Sequence, residues 1–127
     1  MVVEIGRWLR SRSWQTWPVP WLVRDGDVLA SLEVADSPRR RARGLLGRDG
    51  IDGAIILQPA SWVHTFGMGF DLDVAYLDAD LTVVRTASMP RRRLGMPVPS
   101  ARSVLEAESG AFNRWSLTVG DQLEIRG

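Results

Sequence analysis

Val28, Ala30, Leu32 and Val34 occupy every second position between Asp27 and Ala35. That spacing is the period of a β-strand with one face turned to a core. Ser37-Pro38 follows and has the form of a helix start, a hydroxyl to accept from an unpaired amide and a proline whose fixed φ suits the first helical position. The helix is predicted to run through Ala42, Leu45 and Leu46 and to stop at Gly47. Ala54 to Leu57 is apolar throughout and ends before Pro59, which predicts a short buried strand, and Val74 to Leu77 predicts another. Asp78-Ala79-Asp80-Leu81 is predicted to turn the chain back into a strand from Thr82 to Ala87. Residues 88–101 hold Pro90, Pro97 and Pro99 together with Arg91, Arg92 and Arg93, and predict a long exposed loop. Ser103 to Ala107 predicts a strand, Gly110 to Trp115 a turn or two of helix, and Gly120-Asp121 a turn into a last strand from Gln122 to Ile125. The pattern predicts a mainly β (α+β) domain, a small β-barrel or sandwich of about six or seven short strands. One short helix is expected near residues 38–46 and a second near 110–115.

Residues 1–24 depart from this regularity. They carry Trp8, Trp14, Trp17 and Trp21 with Arg7, Arg10, Arg12 and Arg24, against the single acid Glu4. They predict a Trp/Arg-rich N-terminal extension, with one compact β-rich domain over 25–127. Arg10 and Arg12 interrupt any apolar run long enough for a signal peptide or a spanning helix. A cytoplasmic location follows as the expectation, with peripheral contact at a membrane as the alternative. The favoured reading of the tryptophans is packing on the domain, on a second copy or on a protein partner.

Composition narrows the chemistry. The chain has no cysteine and one histidine, which argues against disulfides, thiolate sites and zinc, so neither a metal nor a cofactor is expected. All sixteen basic residues are arginine, a bias that GC-rich codon usage accounts for. It excludes a catalytic or Schiff-base lysine. The net charge of +1 gives no global attraction to nucleic acid or membrane.

The residues with chemical capacity concentrate between Trp62 and Asp78, a stretch holding the only histidine, His64, with Asp71, Asp73 and Asp78. His64 is the first candidate for acid–base work, because its ordinary pKa lies near neutrality. Asp73 opens an apolar strand, and a buried carboxylate needs a partner. Arg43 is the expected partner, in an ion pair that is structural or lines a polar site. Trp62, His64, Phe66, Met68 and Phe70 would share one face of an extended segment, more as core packing than as a pocket wall. No serine or threonine stands in a nucleophile elbow, so no catalytic set is assigned. Arg39, Arg40 and Arg41 near the first helix, and Arg91, Arg92 and Arg93 in the Pro-rich loop, form a candidate anion patch. A solvated basic face is the favoured alternative.

R-A-R-G-L-L-G-R (41–48), V-H-T-F-G-M (63–68), D-V-A-Y-L-D (73–78), V-L-E-A-E-S-G-A (104–111) and V-G-D-Q-L (119–123) follow one another in an order that resembles domain-of-unknown-function family 192 of bacteria and archaea. The resemblance covers roughly Val28 to Ile125. It implies a compact, mostly β domain with no established activity. Two positions depart from the family pattern as the resemblance presents it. Gly69 stands where a basic residue is usual, and Asp71 where a proline or neutral residue is common.

The function expected from these readings is a non-enzymatic binding or accessory module, with His64, Arg43, Asp73, Arg48 and Phe66 as candidate ligand surface. The alternatives are a small hydrolase or lyase using His64 with Asp73, and a nucleic-acid or anionic-membrane binder acting through the arginine runs.

Overall fold

The computed structural model describes residues 20–65 and 67–127. The described chain forms strands β1 (Trp21–Arg24), β2 (Asp27–Ala35), β3 (Ala54–Leu57), β4 (Leu72–Leu77), β5 (Val83–Met89), β6 (Ser103–Glu108) and β7 (Glu124–Arg126). Helix α1 (Pro38–Arg43) follows β2, and α2 (Ala111–Trp115) follows β6. All seven strands belong to one sheet in the order β5-β4-β6-β3-β2-β1-β7. Its neighbours are antiparallel except β2 and β3, which run parallel with α1 in the crossover between them.

The mainly β expectation holds, but the sheet is not closed into a barrel. Its ends come together without a ladder. Thr82 bridges Gln122, Val83 N donates to Asp121 O at 2.8 Å, and Leu123 N donates to Leu81 O at 2.9 Å.

Strand β1 was grouped by sequence with the N-terminal extension. It lies instead between β2 and β7, pairing Leu22 with Ala30 on one side and with Ile125 on the other. The domain therefore begins before Asp25. Leu22 is wholly buried, which stabilises the fold by roughly 1.5–3 kcal/mol as a leucine moved out of water. The rest of the Trp-rich segment, up to residue 19, lies outside the described residues, as does any partner contact expected of it.

The central strands β3, β4 and β6 are buried on both faces, and side-chain parity separates two cores. Ala54, Ile56, Ala75, Leu77, Leu105 and Ala107 point to the face covered by Ala111 and Phe112 of α2. Ile55, Leu57, Leu72, Val74, Tyr76 and Val104 point to the other face, covered by Leu45, Ile51, Val63, Val98 and Ala101 from the long connections.

Helix α1 ends earlier than predicted. Ser37 Oγ accepts from Arg40 N at 3.1 Å and Pro38 opens the helix, as the sequence indicates. Gly44, with φ 47°, then stops it three residues before Gly47. In a helix this short Arg40, Arg41 and Arg43 all lie in the last turn, where cations are favoured. The remaining strands and α2 fall where predicted, with ends displaced by a residue or two.

Candidate functional site

The site lies on the face covered by connections. Past Gly44 the chain buries Leu45 (1% exposed) under the sheet, and a turn closed by Arg48 N donating to Leu45 O leads away toward β3. After β3, Pro59 and Ala60 lead into Trp62, Val63 and His64, which run beside the 93–96 segment. His64 bridges Leu94, Gly95 N donates to Val63 O at 2.9 Å, and Trp62 Nε1 donates to Gly95 O at 2.8 Å. Gly95 is required here, since a Cβ would stand 2.8 Å from both Tyr76 Oη and Val63 O. Thr65, fully buried, fastens the loop: its hydroxyl donates to Pro90 O at 2.7 Å and accepts from Arg93 N at 2.8 Å.

Between these two segments and the sheet lies a pocket of about 280 Å³. Leu45, Leu57, Val63 and Met68 give it apolar walls, and Arg41, Arg43, Trp62 and His64 also line it. Glu106, from the middle of β6, lines it from the sheet. Glu106 is only 4% exposed, and its ladder neighbours on that face are Val74 of β4 and Ile55 of β3, both buried. Among the described residues no donor hydrogen-bonds its carboxyl and no cation pairs with it. Burial alone pushes its pKa up to about 7, because a dry environment disfavours the charged form.

The residues singled out by sequence divide sharply. Arg43 and His64 line the pocket; His64 is exposed, with its ring 5.5 Å from that of Trp62 at a 53° tilt. Asp73 does not join them. It pairs with Ala107 in the ladder and so faces the opposite core, where its Oδ2 accepts from Gly110 N at 3.0 Å and Phe112 N at 3.1 Å. Neither an Asp73–Arg43 ion pair nor a His64–Asp73 dyad is assembled. The strand's two-residue period, with Asp73 out of phase with Val74, sends its carboxyl through the sheet to cap α2. Arg48 is held by Glu33, with Nη1–Oε1 at 3.1 Å and Nη2–Oε2 at 2.9 Å. Phe66 lies outside the described residues.

The arginine runs are exposed and partly balanced by acids, Arg40 by Asp36 at 3.9 Å and Arg91 by Asp71 at 3.7 Å. Arg41 donates to Gln58 O at 3.0 Å and lines the pocket, Arg39 is exposed, and Arg92 adopts φ 63°. Arg93 lines a separate depression with Tyr76 and Arg85. Among the described residues no group of three His, Asp or Glu side chains is placed to hold a metal. No described helix is long and apolar enough to cross a membrane.

Sequence reasoning missed Glu106. The signal was present: Val104 and Glu106 share one side of a strand whose other side is Leu105 and Ala107. A carboxylate between apolar neighbours in a strand covered on both faces is buried, reached only through a cavity.

A curled sheet with one short crossover helix, a capping helix and a single-carboxyl pocket under the loop-covered face defines a small β-rich domain of one recognisable kind. The chain belongs to domain-of-unknown-function family 192, described as Uncharacterized ACR, whose model matches residues 21–125. It is 30% identical over 98 residues to a UPF0127 protein of Pyrococcus abyssi, an alignment spanning 73% of this chain and 84% of that protein. Among solved structures it is similar to a protein of unknown function from Novosphingobium aromaticivorans, with TM-score 0.72, 23% identity and 84% of each chain covered. It is likewise similar to a protein of Sinorhizobium meliloti provisionally described as a transcription regulator, with TM-score 0.73, 20% identity, and 87% and 97% of the two chains covered. At these identities the structural likenesses speak for the fold.

Proposed function

We propose that this protein is a small-ligand binding module whose site is the pocket floored by Glu106. The observation that carries the reading is a carboxyl buried in an inner strand of the sheet, unpartnered among the described residues and open to a cavity of about 280 Å³. A buried polar group normally has a hydrogen-bond partner, and a ligand donor supplies one. The apolar walls provide area, and the arginines at the helix end provide orientation, the combination usual for small-molecule sites. The described lining contains no hydroxyl, thiol or amine nucleophile, which favours binding over covalent catalysis. A fragment screen read by methyl and amide NMR tests the reading. Hits should move resonances of Leu45, Leu57, Val63 and Met68 and weaken in Glu106→Gln; hits that cluster elsewhere, or are indifferent to Glu106, would refute it.

A second reading keeps the same pocket for acid–base chemistry, with Glu106 in place of Asp73 as the partner of His64, because a carboxyl that titrates near neutrality suits a general acid or base. Turnover abolished in Glu106→Gln would favour it. Binding of nucleic acid or anionic membrane through Arg39–Arg41 and Arg91–Arg93 ranks below both, since Asp36 and Asp71 already offset part of each run. Such binding would weaken steeply with added salt.

A further inference from the structure

The pocket has two chemically different ends. Its inner end is the carboxyl of Glu106, flanked in the ladder by Val74 and Ile55. Its outer lining includes Arg41 and Arg43, at the end of α1, and the exposed His64. Arg41 spends one guanidinium nitrogen on Gln58 O, whereas Arg43 is exposed and pairs with no acid among the described residues. Neither guanidinium forms an ion pair with Glu106 among the described residues. Leu45, Leu57, Val63 and Met68 supply apolar wall in the same cavity.

Resting on the binding reading above, we infer that the pocket takes an aliphatic zwitterion whose ammonium and carboxylate are separated by an apolar linker, the ammonium seated on Glu106 and the carboxylate on Arg43. An ammonium gives Glu106 the donors it lacks in a water-poor site, where a charge-assisted hydrogen bond is strongest. A simple cation would meet the arginines on its way in. A simple carboxylic acid would satisfy Arg43 and leave Glu106 facing an alkyl tail without a donor. A ligand of opposite polarity at its two ends meets neither penalty.

The experiment compares 6-aminohexanoate, hexylamine and hexanoate by NMR titration of the full chain at pH 5.5, 7 and 8. Arg41, Arg43 and His64 line the pocket, and the same face of the sheet also carries Glu33 with its partner Arg48, Tyr76 with Arg85, and Glu108. The aminohexanoate should bind tightest, and its affinity should rise with pH as Glu106 ionises. Glu106→Gln should weaken it roughly tenfold or more, the usual scale for losing a charged hydrogen-bond partner, and should flatten the pH dependence. His64→Gln should leave that dependence in place, and Arg43→Gln should erase the advantage over hexylamine. Hexanoate binding as tightly, or affinity falling with pH, would overturn the polarity while keeping the pocket as a binding site. If none of the three probes moves pocket resonances, this ligand class is wrong, and the binding reading is decided separately by its own fragment screen.

Discussion

Glu106 and Asp73 are two carboxyls on adjacent strands with opposite fates. Asp73 is satisfied by two backbone amides at the start of α2. Asp73→Ala should therefore destabilise the fold by about 1–3 kcal/mol, the cost of leaving buried donors unpaired, with ligand binding at the Glu106 pocket unaffected once the protein is folded. Denaturant titration and NMR of the variant check both halves. Glu106 has no such partner among the described residues, and its folded pKa of about 7 stands above the ordinary 4.5. The native state thus holds a proton that the unfolded state releases between those values. Stability from this group is greatest below pH 4.5, falls as pH rises through about 7, and is flat above. The loss amounts to about 3 kcal/mol at most, on the scale of 1.36 kcal/mol per pH unit. Glu106→Gln should remove this decline and be at least as stable as the parent at pH 8, measured by urea unfolding across pH. Single residues whose role is local were legible in the sequence: Ser37 caps, and Asp78 Oδ1 accepts from Asp80 N and Thr82 N at 2.9 Å in the turn. Glu106 was not, because its meaning depends on both faces of β6 being covered, and strand neighbours are not written in the strand.

The elements that shape the pocket are connections, and their geometry follows from close approaches that only particular residues allow. Gly69 packs on the preceding turn so tightly that a Cβ would lie 2.6 Å from Arg48 O. Glycine at this position thus has a steric reason in this chain. Gly69→Arg is expected to lower stability by about 1–3 kcal/mol through the backbone shift it forces, with a drop in melting temperature as the readout. Thr65 ties the 90–93 loop through both roles of its hydroxyl. Thr65→Val should leave Arg93 N and Pro90 O unsatisfied, cost roughly 1–3 kcal/mol, and raise amide exchange in that loop. The sequence indicated a long exposed loop here and a helix running to Gly47. It did not reveal the knot at Thr65, which joins segments distant in sequence, or that Gly44 rather than Gly47 closes the helix, its amide donating to Arg40 O at a positive φ.

At the scale of the whole molecule, Arg24 of β1 ties together segments far apart in the chain. Arg24 Nη2 donates to Trp115 O at 2.7 Å, and Nη1 reaches Ser116 O at 3.2 Å and Asp121 Oδ2 at 3.0 Å. One side chain thereby joins the first strand, the end of α2 and the turn before β7. A bond from Thr118 N, reinforced by Arg24, holds the Asp121 carboxyl below its ordinary range. Its contribution to stability is therefore present at neutral pH and lost as pH falls through that lowered value. Arg24→Ala should destabilise by roughly 1–3 kcal/mol and move the acid limb of unfolding to higher pH, without erasing it, since the Thr118 bond remains. The strand count, the helix positions and the family were legible from periodicity and motif order. The place of Trp21–Arg24 was not, because tryptophans and arginines set it apart in composition while its hydrogen bonds put it inside the sheet. The Glu106 carboxyl is buried and unpartnered among the described residues, at the floor of the proposed ligand pocket. The most direct test is a ¹³C NMR titration of the Glu106 side-chain carboxyl, assigned by its loss in Glu106→Gln. A midpoint near pH 7 is the predicted result. A midpoint in the ordinary glutamate range, about 4.3, would mean that the carboxyl is hydrated or paired, and would contradict the account.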